Sequence, residues 1–272
     1  MKTLFASFWK RNLAFFKLAI VTNLEYRLNF FIDAIAQPAV TTVVELILWN
    51  AVFIGAGTEL IAGFDKAHYL SYALWAAFFA RVASNWMYEF RMIEEIDSGS
   101  INSLLVRPMS FYEYYLSQLL GYKFITTVVS MIFPFLVISV FNLPSDFSRF
   151  PLAFLMLMYF VVFLYATSFC IASIAFHFNK IHSLTVVKNL AIWIFTGELF
   201  PLDLLPENVR QIFLTLPFSC GVYRPVAFIT GRIEINQMTQ GFYSITAGII
   251  IVNFIGYLLW KKGMRSYLGT GA

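Results

Sequence analysis

The chain has 272 residues, 60% of them hydrophobic and 12% charged; an ordinary soluble domain carries roughly 25% Asp, Glu, Lys and Arg, so water is not its main solvent. The 31 Phe, 14 Tyr and 6 Trp are more aromatic surface than one soluble core buries and suit the interfacial belts of a bilayer. A net charge of +4, gathered toward the two chain ends without a dense basic run, argues against nucleic acid as a partner.

Ala34-Ile35-Ala36 offers only a superficial cleavage site, because Lys17, Glu25 and Arg27 interrupt the apolar run that a signal peptide needs. The N-terminus is therefore expected to be retained. Residues 1–28 read as an interfacial amphipathic helix: Thr3, Ser7, Lys10, Ala14 and Lys17 form one stripe, while Phe5, Phe8, Trp9, Phe16 and Ile20 fall on the other side. The alternative is a first helical turn fraying into the cytoplasm.

Crossing the hydrocarbon takes about 20 mostly apolar residues, and six stretches approach that length, at about 30–54, 67–88, 114–140, 151–176, 183–200 and 240–260. An all-α membrane protein of six spans is expected. The fifth stretch is the weakest, with Lys188 near its start and Glu198 near its end, and it would cross only with thinning or snorkelling. Lys2, Lys10, Arg11, Lys17 and Arg27 precede the first stretch, and Lys261, Lys262 and Arg265 follow the last. Both termini are thus expected on the cytoplasmic side of a cell (inner) membrane. The outer connections near Gly55–Lys66 and Asn142–Phe150, with one basic residue each, agree.

The longest cytoplasmic connection, Tyr88 to Tyr115, reads as a charged helix ending at Ser98-Gly99, a short apolar turn begun by Ser100 and closed by Pro108, and a capping box of Ser110 with Glu113 that starts the next span. Ile101, Leu104, Leu105 and Val106 are more apolar than a solvated loop requires. They point to a protein partner, or else pack back onto the bundle. On the outer side, residues 197–232 read as a re-entrant hairpin: Pro206 with Glu207 suits a helix start, and Gln211–Leu216 is apolar enough to dip into the outer leaflet. Glu198, Pro201, Pro206 and Pro217 make this segment a candidate gate.

No catalytic motif is legible. No Gly is followed by Lys, so an ATP-binding loop is missing, and GxGxxG, HExxH and GxSxG do not occur. Cys170 and Cys220 read as packing residues, and His177 and His182, five apart beside Lys180, as an edge cluster rather than a metal site. By depth, Asp33 and Arg81 could pair within the membrane. Glu45 has no cation at similar depth and is the best candidate for the lining of a transport path, against the alternative of a lone hydrogen-bonded core carboxyl. Pro38 is positioned to kink its helix.

EEIDSGSINSLLVRPMSFYEYYLSQLLGY, with an acidic residue, Gly, a paired Leu and Arg-Pro, and TGELFPLDLLPENVRQIFLTLPF before the last span, resemble the corresponding segments of permease subunits of ABC-2 type exporters. The resemblance covers nearly the whole chain as a single permease domain. It implies a type V exporter-like fold, a second identical or homologous permease, and two separate ABC ATP-binding subunits that would carry ATP and Mg, with no cofactor on this chain. It also implies a coupling element over residues 89–113, mapped onto Arg91, Glu94, Glu95, Ile96, Gly99, Ile101, Leu104, Leu105 and Arg107. The expected activity is export of an amphipathic, drug-like or lipid-like substrate, in contact with membrane lipids. Two rival classes are a transporter or channel driven by an ion gradient, and a membrane-embedded lipid-modifying enzyme.

Overall fold

The computed structural model describes residues 2–178 and 181–267, with side chains from Trp9 onward; the predicted roles of Thr3, Phe5, Ser7, Phe8 and Lys180 therefore lie outside the described side chains. The helices in chain order are α1 (Lys2–Glu25), α2 (Arg27–Phe31), α3 (Gln37–Ala56), α4 (Lys66–Ala83), α5 (Trp86–Asp97), α6 (Asn102–Leu105), α7 (Phe111–Ser130), α8 (Ile132–Phe141), α9 (Phe150–Ala172), α10 (His182–Phe195), α11 (Glu207–Thr215), α12 (Tyr223–Ile229) and α13 (Ile235–Ser266). Among the described residues, four helical segments are long and apolar enough to cross a membrane: Arg27–Ala56, Phe111–Phe141, Phe147–Phe176 and Ile235–Ser266.

The second and fifth sequence stretches fall short of that measure. α4 has 18 residues and α10 has 14, reaching about 27 and 21 Å at 1.5 Å per residue. For α4 the reason is its surroundings. Twelve of its 18 residues are buried among α3, α8, α9 and α12, so its sequence answers to protein neighbours and admits Tyr69, Ser71, Tyr72 and Arg81. α9 is the other pillar, with 61% of its most apolar window buried, against 11–28% for the other three spanning segments. Trp75 of α4 sits at the centre of an aromatic cluster with Phe79, Phe135 and Phe150, and its indole N–H donates to Ser145 at 3.0 Å.

Pro38 does not simply bend the first span. The turn before it, Ile32–Ala36, is a π-helix, which relieves the clash between the proline ring and the carbonyl four residues back. Pro134 has a similar effect downstream: α7 ends at Ser130 and α8 begins at Ile132. Outside the helices, Leu60–Ile61 and Phe64–Asp65 form a small antiparallel hairpin. Ala62 and Gly63 at its tip both have positive φ, the demand of a tight two-residue turn.

α1 is one helix packed along the first half of α7. The Ser110–Glu113 capping box is formed, and Glu113 also receives Arg11 at 3.2 Å, while Ser117 donates to Asn12 at 2.8 Å. Lys10, Ala14 and Lys17 are exposed, as the polar stripe requires, but Trp9 is exposed too and the polar Arg11 and Asn12 face the bundle. The packed face is therefore rotated from the one hydropathy alone suggests. At Gly121 the two helices touch: a Cβ there would lie 2.5 Å from the Phe16 carbonyl oxygen and 2.7 Å from the Ala19 methyl. Gly121→Ala is expected to destabilise the purified protein by about 1–3 kcal/mol through overpacking. Gly55→Ala, where nothing lies within 4 Å, should be neutral or mildly stabilising. Thermal unfolding of both variants in one detergent checks this; equal midpoints would mean that α1 does not dock as described.

Candidate functional site

A cleft of about 170 Å³ opens between α3, α4, α9 and α10. Glu45 enters it from α3 and Glu198 from the turn just past α10, and Arg81, Asn85 and Asn189 also line it. The two carboxylates are close enough for their charges to interact. Among the described residues no Lys, Arg or His lies within 4.0 Å of either. Sequence reading had named both residues separately; the fold brings them to one cavity. Pro201, Pro206 and Pro217 do not line it.

At the cleft's inner end Arg81 is held by the π-turn. Its Nη2 lies 3.2 Å from Asp33 Oδ1, and its Nε donates to the Asp33 carbonyl oxygen at 3.1 Å. Tyr122 closes the knot, accepting from Arg81 at 3.2 Å and donating to Asp33 at 3.1 Å. Lys123, next in sequence, is 6% exposed and donates to the Arg81 carbonyl oxygen at 3.1 Å. Sequence reading passed over Lys123, although a lysine inside an apolar stretch was signal enough to notice it.

The segment after α4 begins in the cleft wall, where Asn85 and Trp86 line it, and continues as α5. One turn on, Glu89 is fully buried and binds both Lys188 of α10 and Ser168 of α9. This pairing escaped the sequence, in which Lys188 read only as a flaw in the fifth stretch. Ser98-Gly99 ends α5 with Gly99 at φ +76°, and Tyr267 donates to the Gly99 carbonyl oxygen at 3.4 Å. Ile96, Ile101 and Leu104 are 3%, 0% and 5% exposed, so half of the expected partner-facing knob, Ile101 and Leu104, belongs to the chain's own core. Arg91, Glu94, Leu105, Val106 and Arg107 remain exposed, and Glu95 is half-buried. The difference has a simple cause: a four-residue α6 presents opposite faces, and the i, i+3 pair of Ile101 and Leu104 turns inward.

Within residues 197–232, α11 contains no buried residue, whereas all seven residues of α12 are buried. The part of the hairpin enclosed by the bundle is thus α12 rather than Gln211–Leu216. Pro201 and Pro206 precede a 3₁₀ turn and α11, and Pro217 opens a second 3₁₀ turn. Asp203 accepts from Tyr223 at 2.6 Å and from Arg232 at 2.9 Å, and the Arg232 guanidinium lies over the rings of Phe64, Tyr69 and Tyr72. In the connections before α9 and α4, the Ser148 hydroxyl and amide hold the Asp146 carboxyl below the usual range, and the His68 amide and ring do the same for Asp65. Among the described residues no cluster of His, Cys, Asp and Glu could hold a metal ion; His182 instead stacks on Phe90.

A membrane bundle with a polar cleft, a structured inner element and an outer hairpin fits one known family by sequence as well: the profile described as ABC-2 family transporter protein matches residues 39–271. The chain belongs to the ABC-2 family of transporters. It is a multi-pass membrane transport permease of a family whose members are transporters rather than catalytic enzymes. No curated protein matches it significantly.

In this ABC-2 permease the Glu89–Lys188 pair ties α5 to α10. Removing one member leaves the other charge buried and uncompensated, which typically costs about 3–5 kcal/mol. Lys188→Met is therefore expected to lower the unfolding midpoint sharply, and adding Glu89→Gln to recover part of the loss. Additive losses in the double variant would show that the two groups do not interact.

Proposed function

We propose that this permease is the transmembrane subunit of an ATP-driven ABC exporter. It pairs with a second permease, identical or homologous, and both rest on separate ATP-binding subunits at the cytoplasmic face of the inner membrane. The short helices α4 and α10 complete six crossings, with both termini cytoplasmic and α1 along the inner surface. The substrate is amphipathic, drug-like or lipid-like, and passes by the cleft that holds Glu45 and Glu198, with the outer hairpin as its gate.

The observation that carries this reading is the double face of residues 86–107. Trp86 lines the cleft, Glu89 is bonded to α9 and α10, and the far end offers Arg91, Glu94, Leu105, Val106 and Arg107 to whatever lies in the cytoplasm. Val106 is 85% exposed, an apolar side chain on a surface that lipid does not cover in this orientation. A push on that surface would reach the cleft through packed side chains and one buried ion pair, the kind of rigid connection that shifts a bundle between two arrangements.

Val106→Asp changes no buried contact. In the complex purified from its native host, the variant is expected to keep the unfolding midpoint of the wild type, to lose at least about 1 kcal/mol of binding to the ATPase subunit, as charged substitution of an interface apolar residue commonly does, and to lose substrate-stimulated ATP hydrolysis. Unchanged stimulation would overturn the coupling role of this surface. Transport that persists without ATP while an ion gradient is held would overturn the ATP-driven reading itself.

A further inference from the structure

The cleft is chemically one-sided in a way that the export reading does not require. At its inner end the positive charge of Arg81 is answered by Asp33 at 3.2 Å. Glu45 and Glu198, in contrast, share the cavity with each other, and among the described residues the only cation in its lining is the already paired Arg81, which makes no ion pair with either of them. An ionised carboxylate in apolar surroundings is costly unless paired, and two side by side are worse.

Glu45 has a side-chain hydrogen bond with Trp49, which leaves its charge unbalanced, and two other polar groups in the wall are unmet. Asn85 and Thr196 are 5% and 1% exposed, both line the cavity, and neither the Asn85 Nδ2 nor the Thr196 Oγ1 has a hydrogen-bond partner. Buried polar groups of native proteins are nearly always satisfied, and exceptions need an explanation such as a ligand. Trp86 and Trp193 complete the wall, and indole faces attract cations.

We propose that the cleft binds the head of an amphipathic organic cation, with Glu45 and Glu198 as its counter-charges, Trp86 and Trp193 as its aromatic wall, and Asn85 and Thr196 as hydrogen-bonding positions for polar atoms beside the charge. A dry cavity of roughly 150 Å³ holds a benzene, so one of about 170 Å³ takes a single pyridinium ring or a trimethylammonium group, with the apolar tail left outside. The inference rests on the export reading for what happens to the ligand next, but not for the binding itself.

The test uses the full-length permease in lipid nanodiscs without an ATPase partner, titrated with N-octylpyridinium, a cation that quenches indole fluorescence. The expected result is a saturable component of quenching above the linear background of lipid partitioning, relieved by octyltrimethylammonium and not by uncharged octylbenzene. Glu45→Gln with Glu198→Gln should weaken this component roughly tenfold or more, as loss of a buried charge partner does, while Glu198→Asp, which keeps the charge, retains most of it and Glu94→Gln, outside the cavity, leaves it unchanged. Absence of a saturable component, equal relief by octylbenzene, or unchanged affinity in the double Gln variant each overturns the proposal. The competition between charged and uncharged compounds is made on the wild type, so the outcome does not depend on the variants folding. Cation binding by a permease that co-purifies with no ATPase from its native host would leave this inference standing and sink the export reading; a coupled ATPase on a permease with no preference for charge would do the reverse.

Discussion

An ionised side chain placed in a bilayer needs an opposite charge, a polar partner or a cavity, and this requirement organises the bundle around three buried or half-buried charge centres. Arg81 with Asp33 and Tyr122 joins α4, the π-turn and α7. Glu89 with Lys188 and Ser168 joins α5, α10 and α9. Asp203 with Arg232 and Tyr223 joins the two arms of the outer hairpin. Each centre links elements that are far apart in sequence, and together they fix the short helices α4 and α10, whose apolar surface alone would not define their place.

The cleft follows from the same constraint. α3 and α10 each expose apolar side chains, including Val43, Ile47, Val186 and Leu190, and turn only selected polar residues toward α4 and α9. Where a polar residue met a partner inside the chain it became a strut. Glu45 and Glu198 make no ion pair among the described residues, and they stand where the bundle is hollow.

How much of this was legible in the sequence depends on the range of the interaction. Local chemistry could be read directly: the Ser110–Glu113 box, the left-handed Gly99 and the helix starting after Pro206 are set by residues within one turn of one another. The Asp33–Arg81 contact was also within reach, because hydropathy orders the chain by depth. Depth, however, carries no information about rotation. It could not tell that Arg11 faces inward, that Ile101 and Leu104 are core while Val106 is surface, or that Glu89 finds Lys188 across 99 residues of sequence. Nor could composition separate α4 from a lipid-facing span, since burial by protein and burial by lipid select overlapping residue types.

The aromatic seat of Arg232 has a mechanical consequence. Its guanidinium lies 4.1, 4.7 and 5.1 Å from the ring centres of Phe64, Tyr69 and Tyr72, which come from the small β-hairpin and from α4, while Asp203 anchors it from the hairpin before α11. These elements are therefore riveted at one point. Peeling residues 197–232 from α4 would strand a cation among three rings, so this end of the bundle must tilt as a block. The give in such a movement has to arise away from the rivet, at the π-turn of the first span, whose Asp33 holds Arg81, and at the Ser84–Asn85 break after α4, which borders the cleft.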